Sequence, residues 1–180
     1  MKITFLGTGT SQGVPVIACD CKVCQSDDPR DKRLRSALEI ETEGKRFIID
    51  CGPDFRQQML REKIRSLDAI LVTHGHKDHL GGLDDVRAFN YINHRPTDVY
   101  ATRNVQRIIR MDFSYAFEKN PYPGVPEIIL HSLTNKPFII NGQKIIPIRA
   151  LHYNNDNFVY GFRVNDFTYI TDAVNITEKE

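Results

Sequence analysis

The sequence predicts one α/β domain, α+β in arrangement, built mostly of strands with a few helices set between them. Three observations carry this. Short apolar or alternating runs recur along the chain, beginning with Lys2 to Leu6. Turn pairs such as Glu43-Gly44 and Asn141-Gly142 join neighbouring runs into hairpins. Helix-forming stretches follow only a few of the strands. At 180 residues, 41% hydrophobic and 26% charged, the chain can bury one core and is neither disordered nor fibrous.

Taken in order, Lys2 to Leu6 alternates as a half-buried strand does. A long irregular loop from Gly7 to about Arg35 follows, holding glycines and a cysteine cluster. Ala37 to Glu41 and Arg46 to Asp50 flank Glu43-Gly44 as a hairpin, and Pro53 to Lys63 reads as a helix with proline in its first turn. Asp68 to Thr73 is a continuous apolar strand ending at a histidine-rich loop. Helices are expected over Asp84 to Asn93 and Arg103 to Phe117, around a strand at Asp98 to Ala101. Asn120 to Pro126 breaks the chain. Strands then run over Glu127 to Leu130, Phe138 to Ile140, Lys144 to Leu151, Phe158 to Val164 and Phe167 to Thr171, with a polar tail after Asp172.

Lys plus Arg total 24 against 23 acidic residues, a net charge of +1. No global field draws nucleic acid or an anionic membrane, so neither is an expected partner. No apolar run approaches the ~20 residues of a spanning helix. Met1 to Gly7 lacks the features of a signal peptide, which makes the cytoplasm the expected location. In a reducing compartment Cys19, Cys21 and Cys24, crowded in one loop, read as metal ligands before disulfides, three free thiols being the other reading. Cys51 reads as a small buried hydrophobe.

The sharpest signal is Thr73-His74-Gly75-His76-Lys77-Asp78-His79-Leu80-Gly81-Gly82, an HxHxDH cluster at the end of the buried strand. Crowding imidazoles and a carboxylate is costly unless a divalent metal binds them. From an extended backbone His74 and His76 can face one ion while Asp78 and His79 turn toward a second, so the spacing suits two ions better than one.

That cluster resembles the metallo-β-lactamase superfamily, whose fold is an αββα sandwich with metals held between the edges of its sheets. The opening Phe5 to Pro15 and the Cys19-Asp20-Cys21-Lys22-Val23-Cys24 segment resemble its branch of phosphoribosyl cyclic phosphate phosphodiesterases, near quinone-cofactor biosynthesis proteins and transfer-RNA 3′-processing nucleases. Ile48-Ile49-Asp50-Cys51-Gly52 is similar to the first motif, Ala150-Leu151-His152 to the third and Ile170-Thr171-Asp172-Ala173 to the fourth. Alone, His152 and Asp172 read as solvated strand ends and Asp50 as a turn residue.

The resemblance implies that His74, His76 and His152 hold the first ion, Asp78 and His79 the second, and that Asp172 bridges them. Asp50 orients a ligand, and Asp78 and Asp50 make up the expected catalytic set. The cofactors implied are two divalent ions, zinc or manganese, and one structural zinc at Cys19, Cys21 and Cys24. The substrate implied is a small phosphodiester, linear or cyclic, the alternatives being an RNA-processing nuclease of the same superfamily or a non-hydrolytic metal-binding, cofactor-biosynthesis protein. Superfamily members supply one more histidine beyond the bridging aspartate, whereas no histidine follows His152. Either the domain lacks its C-terminal part or its second metal site is incomplete, and self-association as a homo-oligomer is expected. His94 and His131 read as surface or structural residues, and Arg30 to Arg35 as a solvated run able to receive a phosphate. Gly7, Gly9 and Gly13 suggest a tight turn beside the metals rather than a phosphate-binding loop. Phe113 to Phe117 reads as core or subunit contact, a substrate lid being the other reading.

Overall fold

The computed structural model describes residues 1–153 and 157–180. One sheet comprises β1 (Lys2–Gly7), β2 (Ala37–Thr42), β3 (Lys45–Ile49), β4 (Ala69–Leu71), β5 (Thr97–Ala101) and β6 (Ile128–Ser132), in that order. Its first three strands are antiparallel and the steps from β3 to β6 parallel. The second sheet is antiparallel: β10 (Phe167–Tyr169), β9 (Phe158–Val164), β8 (Gln143–Leu151) and β11 (Asn175–Ile176), with β7 (Phe138–Ile140) also on β8. The helices are α1 (Phe55–Arg61), the single turn α2 (Lys77–Leu80), α3 (Arg87–Asn93) and α4 (Arg103–Asp112).

Strand periodicity decides the layering. Ile48 and Ile70 point into one core with Phe55 and Met59 of α1, Phe89 of α3 and Val105 and Ile109 of α4. Their neighbours Phe47, Ile49, Ala69 and Leu71 point the other way, against Phe162, Val164 and Ile145 of the second sheet. Burial on both faces is why β3 and β4 read as continuous apolar runs. The layers are helices, first sheet, second sheet. The second helical layer of the expected αββα order is not represented among the described residues. The outer face of the second sheet instead leaves Ile139 68% and Ile176 41% exposed.

Several expectations need correction. The helix expected to reach Phe117 stops at Asp112. Phe113 leaves helical geometry (φ −119°, ψ 39°) to bury its ring, and a 3₁₀ turn over Ser114–Phe117 follows. The helix expected from Asp84 begins as a 3₁₀ turn, Leu83–Val86, running into α3. The polar tail contains β11, which pairs Asn175 with Leu151 and Ile176 with Ala150. Within the charged run, Arg35 is not simply solvated: its Nη1 meets Asp54 Oδ1 at 2.9 Å, tying the long loop to the start of α1. No helix is long and apolar enough to cross a membrane among the described residues.

Candidate metal centre

The centre is assembled from the C-terminal ends of β3 and β4, α2, and the chain leaving β8 and β10. Asp50 follows β3 in the left-handed region (φ 66°) and is fully buried. Its carboxylate accepts from the Thr73 amide at 2.8 Å, the Thr73 hydroxyl at 2.9 Å and His79 Nδ1 at 2.6 Å. An ionised carboxylate only accepts, so the Thr73 hydroxyl spends its proton on Asp50 and must itself accept from His74 Nδ1, 3.0 Å away. That chain places the proton of His74 on Nδ1 and leaves Nε2 with its lone pair toward the centre. Thr73, which sequence reasoning passed over, thus sets a tautomer; its place between a buried strand and the first histidine was the available signal.

His152 is set in the same way from the other sheet. Its Nδ1 donates to the Asp172 carbonyl at 2.6 Å, again leaving Nε2 free to ligate. Asp172 itself lies in the left-handed region (φ 55°), which turns its carbonyl to His152 while its carboxylate meets His79 Nε2 at 2.7 Å. The approach of α2 depends on Gly52, where a Cβ would lie 1.9 Å from the Asp78 carbonyl oxygen. Beside it the Cys51 amide donates to the His79 carbonyl at 2.8 Å.

Two donor sets result. His74, His76 and His152 bring ligand atoms within 4.8 Å of one another, as do His74, His79 and Asp172. His74 Nε2 and His76 Nδ1 stand 3.0 Å apart. Asp78 adds a carboxylate oxygen 3.2 Å from His79 Nε2. Every candidate ligand of the HxHxDH motif, with His152 and Asp172, is therefore brought together, and Asp50 lies directly behind. Imidazole nitrogens and carboxylate oxygens converging on one space fit a divalent transition ion.

Electrostatics set the charges of the centre without metal. Burial, aided by the neighbouring His79 and His76, pushes the His74 pKa down to about 3, keeping it neutral and able to ligate. Burial opposes charge on His79 too, but the Asp50 and Asp172 carboxylates outweigh it and raise its pKa to about 10. The bond from His79 in turn holds the Asp172 carboxyl below its ordinary range.

Two clefts flank the centre. One, of about 440 Å³, is lined by His74, His76 and His152 together with Asn104, Arg149, Phe158 and Tyr160. The other, of about 510 Å³, joins His76, Asp78, His152 and Asp172 to Thr8, Gly9, Thr10 and Ser11, so the glycine loop does reach the site. Of the cleft residues, Arg149 and Asn104 carried no sequence signal, since neither belongs to a local motif.

Away from the centre, the Cys19, Cys21 and Cys24 sulfurs also lie within 4.8 Å of one another. Hydrogen bonds, first from the Cys24 backbone and then from the Cys19 and Cys24 thiols, lower the Cys21 pKa to about 7. Cys51 is fully buried and its thiol is pushed up by burial, as expected of a packing residue. His131 Nε2 pairs with Asp98 at 2.6 Å and stacks on Tyr100, and His94 ends α3 with φ 51°; neither reaches the centre.

A two-sheet sandwich carrying two adjoining His/Asp donor sets at one edge defines the class, a fold built around a candidate metal centre. A family model described as a beta-lactamase superfamily domain matches residues 45–180. The chain belongs to the metallo-β-lactamase superfamily. It is 44% identical over 182 residues to an octanoyltransferase of Porphyromonas gingivalis, covering 100% of this chain and 36% of that protein. It is 31% identical over 119 residues to the coenzyme PQQ synthesis protein B of Methylobacterium nodulans, covering 58% and 38% of the two. Among solved structures, a diphosphatase from the PhnP family superposes with TM-score 0.88 at 39% identity, over 98% of this chain and 66% of that one. The chain thus spans little more than a third of these curated relatives.

Proposed function

We propose that this chain carries the metal centre of a phosphodiesterase acting on a small phosphodiester, linear or cyclic. The observation that carries the reading is the convergence of the His74, His76, His152 set on the His79, Asp78, Asp172 set, with Asp50 buried behind both. His74, His76 and His152 would hold one ion, His79 and Asp78 a second, with Asp172 between them. Divalent ions such as zinc or manganese would supply there a water of lowered pKa and positive charge for the phosphoryl oxygens. The chain's own part is to keep His74 neutral, to fix the His74 and His152 tautomers, and to hold Asp172 ionised. The Cys19, Cys21, Cys24 cluster would take a structural zinc.

The name of the diphosphatase relative supports attack at phosphorus. The octanoyltransferase name belongs to a protein of which this region is about a third. Acyl transfer through an enzyme-bound acyl group needs an activated nucleophile, and Cys51 beside the centre is buried with its thiol pKa raised. That name is therefore not carried over.

The test is hydrolysis of bis(p-nitrophenyl) phosphate with added zinc or manganese. Turnover abolished by a chelator and restored by metal supports the reading. Tight metal binding without turnover points to a non-hydrolytic role, and turnover confined to RNA 3′ ends to a nuclease.

A further inference from the structure

We infer that Arg149 recognises a second phosphate beside the one attacked, so that the larger substrate class favoured here is an organic diphosphate; this rests on the phosphoester chemistry proposed above. Arg149 stands opposite Tyr160 in the β8/β9 ladder, whereas Phe158 pairs with Leu151. Yet the Arg149 guanidinium carbon lies 4.5 Å from the centre of the Phe158 ring. The side chain therefore leans diagonally along the sheet, toward the strand end from which His152 departs. Arg149 and the three histidines His74, His76 and His152 share one cleft.

Among the described residues no carboxylate forms an ion pair with Arg149; the Glu180 carboxylate is held by the Arg149 backbone N–H, at 3.1 Å, instead. Contact with the Phe158 ring orients a guanidinium through its face and leaves its N–H edge for an oxyanion. That planar fork matches two phosphoryl oxygens, as a lysine would not. Asn104, also in the cleft, has its Oδ1 engaged by Arg107 at 3.0 Å and so presents chiefly N–H donors to a ligand.

For a diphosphate esterified at both ends, a water oxygen bonds to the phosphorus at the metal centre and the bond from that phosphorus to the bridging oxygen breaks. The bridging oxygen leaves on the phosphate held by Arg149. The products are two phosphomonoesters that share the water's hydrogens before ionising to solvent.

The test compares the parent, Arg149→Ala and Arg149→Lys proteins, each loaded with manganese. One readout is the ratio of kcat/KM for P1,P2-di(adenosine-5′) diphosphate to that for bis(p-nitrophenyl) phosphate. The other is the calorimetric affinity for α,β-methylene-ADP relative to AMP. Arg149→Ala should lower both ratios about ten-fold, through KM in the first, with Arg149→Lys recovering only part. Ratios unchanged in Arg149→Ala, or fully restored by lysine, overturn the assignment. If the parent hydrolyses neither substrate, the phosphodiesterase reading fails while the affinity ratio still decides the role of Arg149.

Discussion

His79 Nδ1 lies 2.6 Å from Asp50 Oδ2, with the histidine side chain 2% exposed and the aspartate fully buried. The two residues are separated by 29 positions, so this bond clamps the end of β3 to α2 and aims the opposite ring nitrogen at the space between Asp78 and Asp172. It is the link between fold stability and ligand geometry.

Asp50→Asn keeps the shape but replaces a three-fold acceptor by a group that also donates. Metal affinity at the His79 set should fall about 10–100-fold, and unfolding free energy by about 1–3 kcal/mol. Metal titration and urea unfolding of the variant check both; parental affinity would show that Asp50 does not orient His79.

Stability of the metal-stripped protein should depend on pH in a stated direction. The folded pKa of His79, about 10, exceeds its ordinary 6.5. Its contribution is complete below about 6.5 and is lost as pH rises through about 10. His74, with a folded pKa of about 3 against 6.5, behaves oppositely: its contribution is present above 6.5 and lost as pH falls toward 3. Thermal unfolding after chelation should therefore show greatest stability near pH 6.5, with the alkaline decline reduced in Asp50→Asn. A flat profile from pH 6.5 to 10 would contradict the charged His79.

The His74→Ala, His76→Ala double variant removes two ligands of the first set, one of which, His74, also belongs to the second. Elemental analysis should find that the transition metal of the parent is lost from it; equal content in both proteins would sink the assignment.

Replacing Cys19, Cys21 and Cys24 together by serine should remove about one equivalent of zinc while leaving metal at the His/Asp centre, because the donor sets share no residue. Unchanged stoichiometry would favour free thiols.

Gly52→Ala tests the packing of α2. A methyl group cannot sit 1.9 Å from the Asp78 carbonyl oxygen, so α2 must shift and carry Asp78 and His79 with it. A loss of about 1–3 kcal/mol is expected, together with weaker metal binding. A variant as stable and as metal-rich as the parent would mean that α2 is not held there.

Much of the centre could be read from residues in a row. His74, His76, Asp78 and His79 are legible because one strand end and one helical turn place them locally, and Glu43-Gly44 and Asn141-Gly142 announce their hairpins through backbone chemistry alone. Asp50, His152 and Asp172 were visible only as strand ends within resembling motifs. Tertiary structure decided the rest. The Asp172 carbonyl meets His152 Nδ1 because the chain leaving β10 returns to pair with β8 as β11. Arg149 reaches the cleft because the β8/β9 register puts Phe158 diagonally beside it. Arg35 pairs with Asp54 because the long loop folds over α1. Residue type and spacing along the chain set periodicity, turns and local ligand clusters, whereas relationships across 9 to 29 positions follow from strand register and from the two cores that press the layers together.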